Sequence, residues 1–295
     1  MLQQMFRNRQ FSFLAGTGVL FCASLSAFAA TPDHQERHFT VKDHPVVVLQ
    51  NIVNGRIEVK SWKNKEIVVS STSSSDRVAL DIEQVGDRID INASALASST
   101  QPHEVEANFQ LTVPEQTELQ LKTQTGLIYV EQVNGDMKLE SVAGDVHLKE
   151  VSGYIIVKTT GGSLNCVLCS GKIEFTSISG NAQILQPSLS NVNLMTMTGN
   201  ILYEGDFLRT GIYRMGSGKG LVEVRFSDSD SFDLTAETQT GSVDNRAAAF
   251  LKPDTHGNRH SGSRFKTSLF GTFGMGLAKV ELSSYSGTIR ILKRD

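Results

Sequence analysis

Apolar and polar residues alternate along most of this chain, and between residues 121 and 199 the alternation is tied to a repeated glycine. Glycine returns every nine residues, at Gly126, Gly135, Gly144, Gly153, Gly162, Gly171 and Gly180. Apolar residues stand two, four or seven residues after these glycines: Ile128, Val130, Val133, Met137, Leu139, Val142, Val146, Leu148, Val151, Ile155, Val157, Leu164, Cys166, Cys169, Ile173, Phe175 and Ile178. Alternate side chains of a strand share a face, whereas a helix needs spacings of three and four. Each unit therefore predicts a short strand whose apolar residues point inward.

The true period is two units, because alternate units differ. The segments LKTQTG, LESVAG, VKTTGG and FTSISG end at Gly126, Gly144, Gly162 and Gly180, and LMTMTG, YRMGSG, AETQTG and LSSYSG continue the series to Gly199, Gly218, Gly241 and Gly287. Nine residues cannot hold a helix plus a strand, and glycine permits a corner with positive φ or a close backbone approach. The pattern predicts an all-β parallel β-helix, a solenoid with coils of about 18 residues.

Three regions follow from this pattern. Residues 1–29 contain Arg7 and Arg9, then an apolar stretch, then Ala27-Phe28-Ala29, which predicts a secretory signal peptide and a periplasmic or extracellular protein. Residues 30–113 predict an N-terminal β-strand region that caps the solenoid. Residues 114–295 predict the β-helix domain. Its segment 245–275 predicts an insertion loop that covers the C-terminal end, where strand edges would otherwise stay unpaired.

Composition narrows the classes of partner. The formal net charge is −3, and removal of Arg7 and Arg9 with the signal peptide makes the chain more acidic. No basic run is present, which argues against nucleic acid as a partner. After the signal peptide, no apolar stretch is long enough to cross a membrane, so the mature chain is not expected to span one.

A resemblance to a known family rests on the coil motif and three segments. These are Leu111-Thr-Val-Pro114, Gly271-Thr-Phe-Gly274-Met-Gly276 and Val280-Glu-Leu-Ser-Ser-Tyr-Ser-Gly287-Thr-Ile. With them the chain resembles, over nearly all of its mature length, a bacterial family of candidate adhesin domains that has no assigned reaction. The resemblance implies attachment or envelope association. It supplies no catalytic residue and no cofactor.

Cys166 and Cys169 form a Cys-x-x-Cys motif at two inward positions of the repeat. A redox pair would be expected at the start of a helix, where the thiolate is stabilised, and a zinc site would need further ligands. We interpret the two cysteines as buried small residues or as a disulfide that clips one corner. His256 and His260, near Asp254, are interpreted as solvated loop residues, so no metal is expected.

A column of hydroxyl residues precedes the glycines that are 18 residues apart. Serine or threonine stands three and one residues before them, except at Ala143, Gly161 and Met215. The predicted binding face consists of Thr123, Thr125, Thr159, Ser177, Ser179, Thr196 and Thr198. Because these positions flank an inward apolar residue, we expect them to face outward and to bind a glycan or an envelope protein. The alternative is that the hydroxyls bond backbone groups at the corner.

Two functions are compatible with these patterns. The first is a non-catalytic secreted or surface β-helix that acts as an adhesin-like binding scaffold. The alternative is a carbohydrate-active β-helix enzyme, which would need neighbouring carboxylates in one groove. Glu140, Glu174 and Glu223 are scattered over different coils and form no obvious pair. The sequence therefore predicts a binding protein without catalytic residues.

Overall fold

The computed structural model describes residues 33–96, 105–247, 252–253 and 267–294. The predicted signal peptide, and the loop segment that contains His256 and His260, lie outside the described residues. The described residues form strands and no helix, which confirms the all-β prediction. The strands are β1 (Asp33–Thr40), β2 (Val46–Asn51), β3 (Ile57–Trp62), β4 (Glu66–Ser73), β5 (Val78–Val85), β6 (Arg88–Ala95), β7 (Ala107–Pro114), β8 (Glu118–Thr123), β9 (Ile128–Glu131), β10 (Met137–Ser141), β11 (Val146–Lys149), β12 (Ser152–Thr159), β13 (Leu164–Val167), β14 (Ser170–Ser177), β15 (Ala182–Leu185), β16 (Ser188–Thr196), β17 (Ile201–Glu204), β18 (Ile212–Ser217), β19 (Leu221–Phe226), β20 (Phe232–Thr238), β21 (Ser242–Asn245), β22 (Lys252–Pro253), β23 (Thr267–Phe273), β24 (Ala278–Ser284) and β25 (Thr288–Lys293).

The strands form two sheets that enclose one apolar core. The first sheet has the order β1-β4-β7-β3-β9-β11-β13-β15-β17-β19-β25-β21, and the second has the order β22-β23-β20-β24-β18-β16-β14-β12-β10-β8-β2-β6-β5. Consecutive strands of the chain alternate between the sheets through the middle of the molecule. The polypeptide therefore winds as a solenoid, as the repeat predicts.

Inward side chains stack in columns because the parallel register joins equivalent positions of the repeat. In the first sheet Val146 pairs with Ile128 on one side and with Leu164 on the other. The column continues through Ala182, Ile201, Val222 and Ile289, and all of its members are buried. One coil alone cannot bury these side chains, so the core exists only when coils stack.

The repeated glycines are required for close approach between coils. A methyl group on Gly144 would lie 2.0 Å from the carbonyl oxygen of Gly126, although Gly144 does not have a positive φ. The same approach, at 1.8 to 2.1 Å from the preceding glycine oxygen, recurs at Gly126, Gly144, Gly162, Gly180, Gly199, Gly220, Gly287 and Gly241. We call this column, which begins at Gly55, the glycine ladder. Gly218 is not a member, so its predicted place in the repeat is wrong.

The opposite corner of each coil uses the left-handed backbone conformation without glycine. Gln132, Glu150, Leu168 and Gln186 occupy equivalent places there, with φ values of 59°, 53°, 56° and 48°. The residue that follows each of the first three points inward, and Val133, Val151 and Cys169 are buried as predicted. The two corners are therefore built differently, and only this one has an inward apolar residue seven positions after a glycine.

The last coil in the chain is not the last coil in the stack. Strand β25 lies between β19 and β21, and β24 lies between β18 and β20, with parallel pairing on both sides. The coil of Gly287 thus inserts before the coil of Gly241, which is contrary to the chain order that the sequence predicts. The second part of the predicted insertion loop is strand β23, which pairs antiparallel with β20.

At the other end, a coil precedes a group of antiparallel strands. Strands β2 and β3 stack in parallel on β8 and β9, so the segment around Gly55 forms a further coil of the solenoid. Beyond it, β4 pairs antiparallel with both β1 and β7, and β5 pairs antiparallel with β6. At this end of both sheets, the parallel pairing of the coils is therefore replaced by antiparallel pairing between strands from the N-terminal part of the chain.

The glycine ladder can be tested with two adjacent glycines. We expect Gly162→Ala to destabilise the fold by about 3 kcal/mol or more, because its methyl group would lie 1.9 Å from the backbone oxygen of Gly144. Gly161→Ala is the control, since the nearest atom to its methyl group is 3.7 Å away. The measurement is the denaturant midpoint followed by circular dichroism. Equal losses in the two variants would refute the close-approach explanation.

Candidate functional site

The hydroxyl column does not form the outward face that the sequence predicts. Its members three residues before the glycine, Thr123, Thr159, Ser177 and Thr196, are all buried. The Ser177 Oγ accepts a 2.7 Å hydrogen bond from the Gly180 N–H, and the Thr159 Oγ1 accepts one of 2.8 Å from the Gly162 N–H. The predicted orientation is wrong for these four residues, because their hydroxyls bond backbone groups inside the corner: Thr159, Ser177 and Thr196 accept from a glycine N–H, and Thr123 donates to the Thr125 carbonyl.

The members one residue before the glycine do reach the surface. Ser179 and Thr198 are exposed and Thr125 is half-buried. Their hydroxyls also donate to protein acceptors, which are the Thr160 carbonyl for Ser179 at 3.4 Å, the Ile178 carbonyl for Thr198 at 3.3 Å, and the Asn54 side chain for Thr125. A binding role for Thr125, Ser179 and Thr198 stays a prediction.

The residue between the two hydroxyls of each corner points outward. Val142 and Ile178, which the repeat predicts as inward, are 46% and 52% exposed. Met197 and Tyr285 occupy the equivalent place in other coils and are also exposed. The buried hydroxyl takes the inward place at this corner, and the next side chain must therefore turn to solvent.

The buried hydroxyl can be tested against its exposed neighbour. We expect Ser177→Ala to cost about 1 to 3 kcal/mol, because it leaves the buried Gly180 N–H without its acceptor. Ser179→Ala, two residues away on the exposed side, should change stability by less than about 0.5 kcal/mol. The measurement is the thermal unfolding of both variants, each compared with the parent chain. A loss in Ser179→Ala as large as that in Ser177→Ala would show that the two hydroxyls are equivalent.

The two cysteines of the Cys-x-x-Cys motif are joined by a disulfide. Their Cα atoms are 6.1 Å apart, and both residues are fully buried. Leu168, which has the left-handed conformation, lies between them at the corner. The bond links the two residues that flank this corner, and burial keeps its sulfur atoms away from solutes.

Most of the carboxylates that the sequence singles out are held in ion pairs. Glu223 is buried and contacts Arg225 at 2.6 Å and Arg290 at 3.0 Å. Glu140 contacts Lys138 at 2.9 Å, and the hydrogen bond lowers the pKa of this carboxyl group. Within the described ranges, no group of three or more His, Cys, Asp and Glu side chains is placed to hold a metal ion.

A groove of about 600 Å³ lies on the outer face of the second sheet. It crosses strands β12, β14 and β16 near their N-terminal ends and reaches Asp136, the residue that precedes β10. Its lining residues are Asp136, Gly153, Tyr154, Gly171, Lys172, Ile173, Glu174, Ser190 and Asn191. We call it the Tyr154 groove, because the 38% exposed ring of Tyr154 is its one aromatic group.

Two carboxylates hold the Tyr154 segment in place. The phenol O–H donates a 2.6 Å hydrogen bond to the Glu174 Oε1, and this bond raises the pKa of Tyr154. The backbone N–H of Tyr154 donates to the Asp136 Oδ1 at 3.0 Å. The phenol therefore keeps its proton at neutral pH, and the ring has a fixed hydrogen-bonding partner.

The groove forms where the repeat changes. Gly135, Gly153 and Gly171 make a second column of close approach, in which a methyl group on Gly171 would lie 2.3 Å from the Gly153 oxygen. In the next coil Leu189 replaces glycine, and the register between β14 and β16 shifts at Gly171 and Lys172. A bulge of this kind inserts one extra residue and re-aims its neighbours.

The sequence pattern does not predict this groove. Its carboxylates are scattered along the chain, whereas the structure brings Glu174 and Asp136 to one groove on either side of Tyr154. The available signals were an outward tyrosine next to a repeat glycine and the 19-residue step from Gly180 to Gly199. Neither signal is sufficient alone, and the sequence does not show that the tyrosine and the extra residue lie close together in the fold.

The fold and this surface define an all-β solenoid with two sheets and a polar groove on one outer face. Residues 51–292 match the Toastrack DUF4097 family, so the chain belongs to that family. The family resemblance inferred from the coil motif and the closing segments is thereby confirmed.

A solved structure of low sequence identity supports the fold. This candidate adhesin from Bacteroides fragilis NCTC 9343 is 11% identical with a TM-score of 0.51, and the match covers 88% of this chain and 97% of that one. A candidate cell adhesion protein from Clostridium sporogenes ATCC 15579 is 11% identical over 90% and 100% of the two chains, with a TM-score of 0.28. No curated protein matches the chain. Among the described residues, no helix has the length and apolar character needed to cross a membrane.

Proposed function

We propose that this protein is an exported, non-catalytic scaffold that binds an envelope or surface partner through the Tyr154 groove. The observation that carries the proposal is the groove itself, in which an exposed aromatic ring is held among polar side chains on an otherwise continuous sheet. Binding sites commonly combine an aromatic surface with a few oriented polar groups. The adhesin-like description of the structural neighbour from Bacteroides fragilis agrees with this role.

Export is part of the proposal. Residues 1–29 have the charge, apolar stretch and small-residue site of a signal peptide. The Cys166–Cys169 disulfide suits an oxidising compartment such as the periplasm or the cell exterior. In this scheme the solenoid has coils of about 18 residues, and the antiparallel strands at its two ends act as caps that stop coils of different molecules from pairing.

The Tyr154 groove is a better binding surface than the exposed hydroxyls of the glycine corner. The hydroxyls of Ser179 and Thr198 already donate to backbone carbonyls. In contrast, the groove exposes a ring together with Lys172 and Asn191 over several coils. The corner residues serve as a second surface in the test.

A carbohydrate-active enzyme is the second candidate, and one observation favours it. Asp136 and Glu174 both line the groove, and polysaccharide cleavage uses a pair of carboxyl groups. Both carboxylates accept hydrogen bonds from the Tyr154 residue, which is a positioning arrangement. Analysis of bound polysaccharides for shortened products separates the two functions.

The test uses the mature chain and washed envelope fraction. We expect saturable binding that falls at least tenfold in Tyr154→Ala, since the exposed ring provides contact area at little entropic cost. Tyr129→Ala is the matched control, because Tyr129 is a half-buried tyrosine on the outer face of the first sheet. Ser179→Lys tests the corner surface and should bind normally. Undiminished binding by Tyr154→Ala would contradict the proposed site.

A further inference from the structure

The chemistry of the Tyr154 groove points to the class of its ligand. Tyrosine offers an apolar ring face and a polar tip, which suits a ligand that is itself part C–H surface and part hydroxyl. Around the ring stand groups that can donate to or accept from hydroxyls, namely Lys172, Glu174 and Asn191. A purely apolar ligand would cover Lys172 and Asn191 without offering them a hydrogen-bonding partner, and that is costly.

The charges of the groove argue against a polyanion. Two carboxylates, Asp136 and Glu174, stand against the single ammonium group of Lys172. A phosphate or carboxylate ligand would face like charges on both sides of the tyrosine, and such juxtaposition disfavours binding. An uncharged polyhydroxyl ligand meets no such repulsion.

The ring is already in place before any ligand binds. Glu174 accepts the phenol proton at 2.6 Å, and Asp136 anchors the backbone N–H at 3.0 Å. Fixing a side chain in advance reduces the entropy that binding must overcome. The arrangement is therefore a prepared surface for stacking.

The groove is elongated along the solenoid axis. Its residues come from β12, β14 and β16 and from Asp136, which directly precedes β10 in the adjacent coil. With a strand spacing of roughly 4.8 Å, the groove extends over roughly 14 Å. One strand spacing is similar to the length of one pyranose unit in an extended chain. An oligosaccharide can thus lie across the strands with one ring on Tyr154, the ring on one side beside Asp136, and the second ring on the other side beside Asn191.

We propose that the Tyr154 groove binds a neutral saccharide chain, with one pyranose ring stacked on Tyr154 and hydroxyls along the chain bonded to Lys172, Glu174 and Asn191. This inference rests on the proposed function, because it names the ligand of the same site. It adds a chemical class and an orientation for that ligand.

Defined probes test the ligand class. Isothermal titration with cello- and malto-oligosaccharides of six units is expected to find at least one binder, whereas polygalacturonate should not bind. Tyr154→Ala should weaken binding at least tenfold, and Tyr154→Phe, which keeps the ring and loses the bond to Glu174, should weaken it less. Tyr129→Ala should bind as the parent chain does. Tighter binding of polygalacturonate than of every neutral probe would overturn the inference.

Treated envelope fractions separate this inference from the proposed function. Periodate, which cleaves vicinal diols of sugars, should abolish the Tyr154-dependent binding, whereas protease should leave it intact. If protease removes that binding and periodate does not, the saccharide is wrong and the scaffold function stands. If binding does not depend on Tyr154 under either treatment, both proposals fail. Circular dichroism of each variant confirms that the fold is kept.

Discussion

The rest of the structure depends on how closely the backbones of successive coils approach at one corner. At Gly144, Gly162 and Gly180 there is room for a hydrogen atom but not for a methyl group, since a Cβ would lie about 2 Å from the preceding carbonyl oxygen. This approach sets equivalent positions of successive coils one above another. Once they are aligned, the parallel register stacks inward side chains into continuous columns, and the core forms from contacts that no single coil can make.

The glycine corner also separates positions whose orientation the sequence pattern predicts correctly from positions whose orientation it predicts wrongly. Strand positions such as Ile128 and Val146 are inward as predicted, because alternation alone decides them. Alternation continues through Leu139 to Ser141, so it places the Ser141 side chain inward and that of Val142 outward. The expected inward place for Val142 comes from counting seven residues from Gly135, and it is wrong. The Ser141 Oγ turns inward to accept from the Gly144 N–H at 2.7 Å, and Val142 is left outside. A hydropathy pattern favours valine as the inward residue, because it does not count the buried backbone donor that the Ser141 hydroxyl satisfies.

The order of the last coils was also beyond the sequence pattern. The coils of Gly241 and Gly287 have the same motif, so the repeat predicts that either of them can stack on the preceding coil. It does not predict which of the two occupies that position. The structure places β25 between β19 and β21, where Arg290 contacts Glu223 at 3.0 Å and Asp244 at 3.1 Å. Glu223 is also bonded to Arg225 in the same strand. The inserted strand thus brings a guanidinium group between two carboxylates, and in the opposite order of β25 and β21 Asp244 would lie beside Glu223.

A uniform repeat makes a uniform surface, so a specific site has to arise where the repeat is broken. The groove at Tyr154 follows this logic. The second column of glycines ends when Leu189 takes the place of glycine, and the bulge at Gly171 and Lys172 shifts the neighbouring strand. In the sequence, this break is the 19-residue step from Gly180 to Gly199. Its effect, which is the pairing of Lys172 with Asn191, is seen only in the structure. The regular coils supply a rigid frame, and the irregular coil of Leu189 is where the groove of the proposed binding site forms.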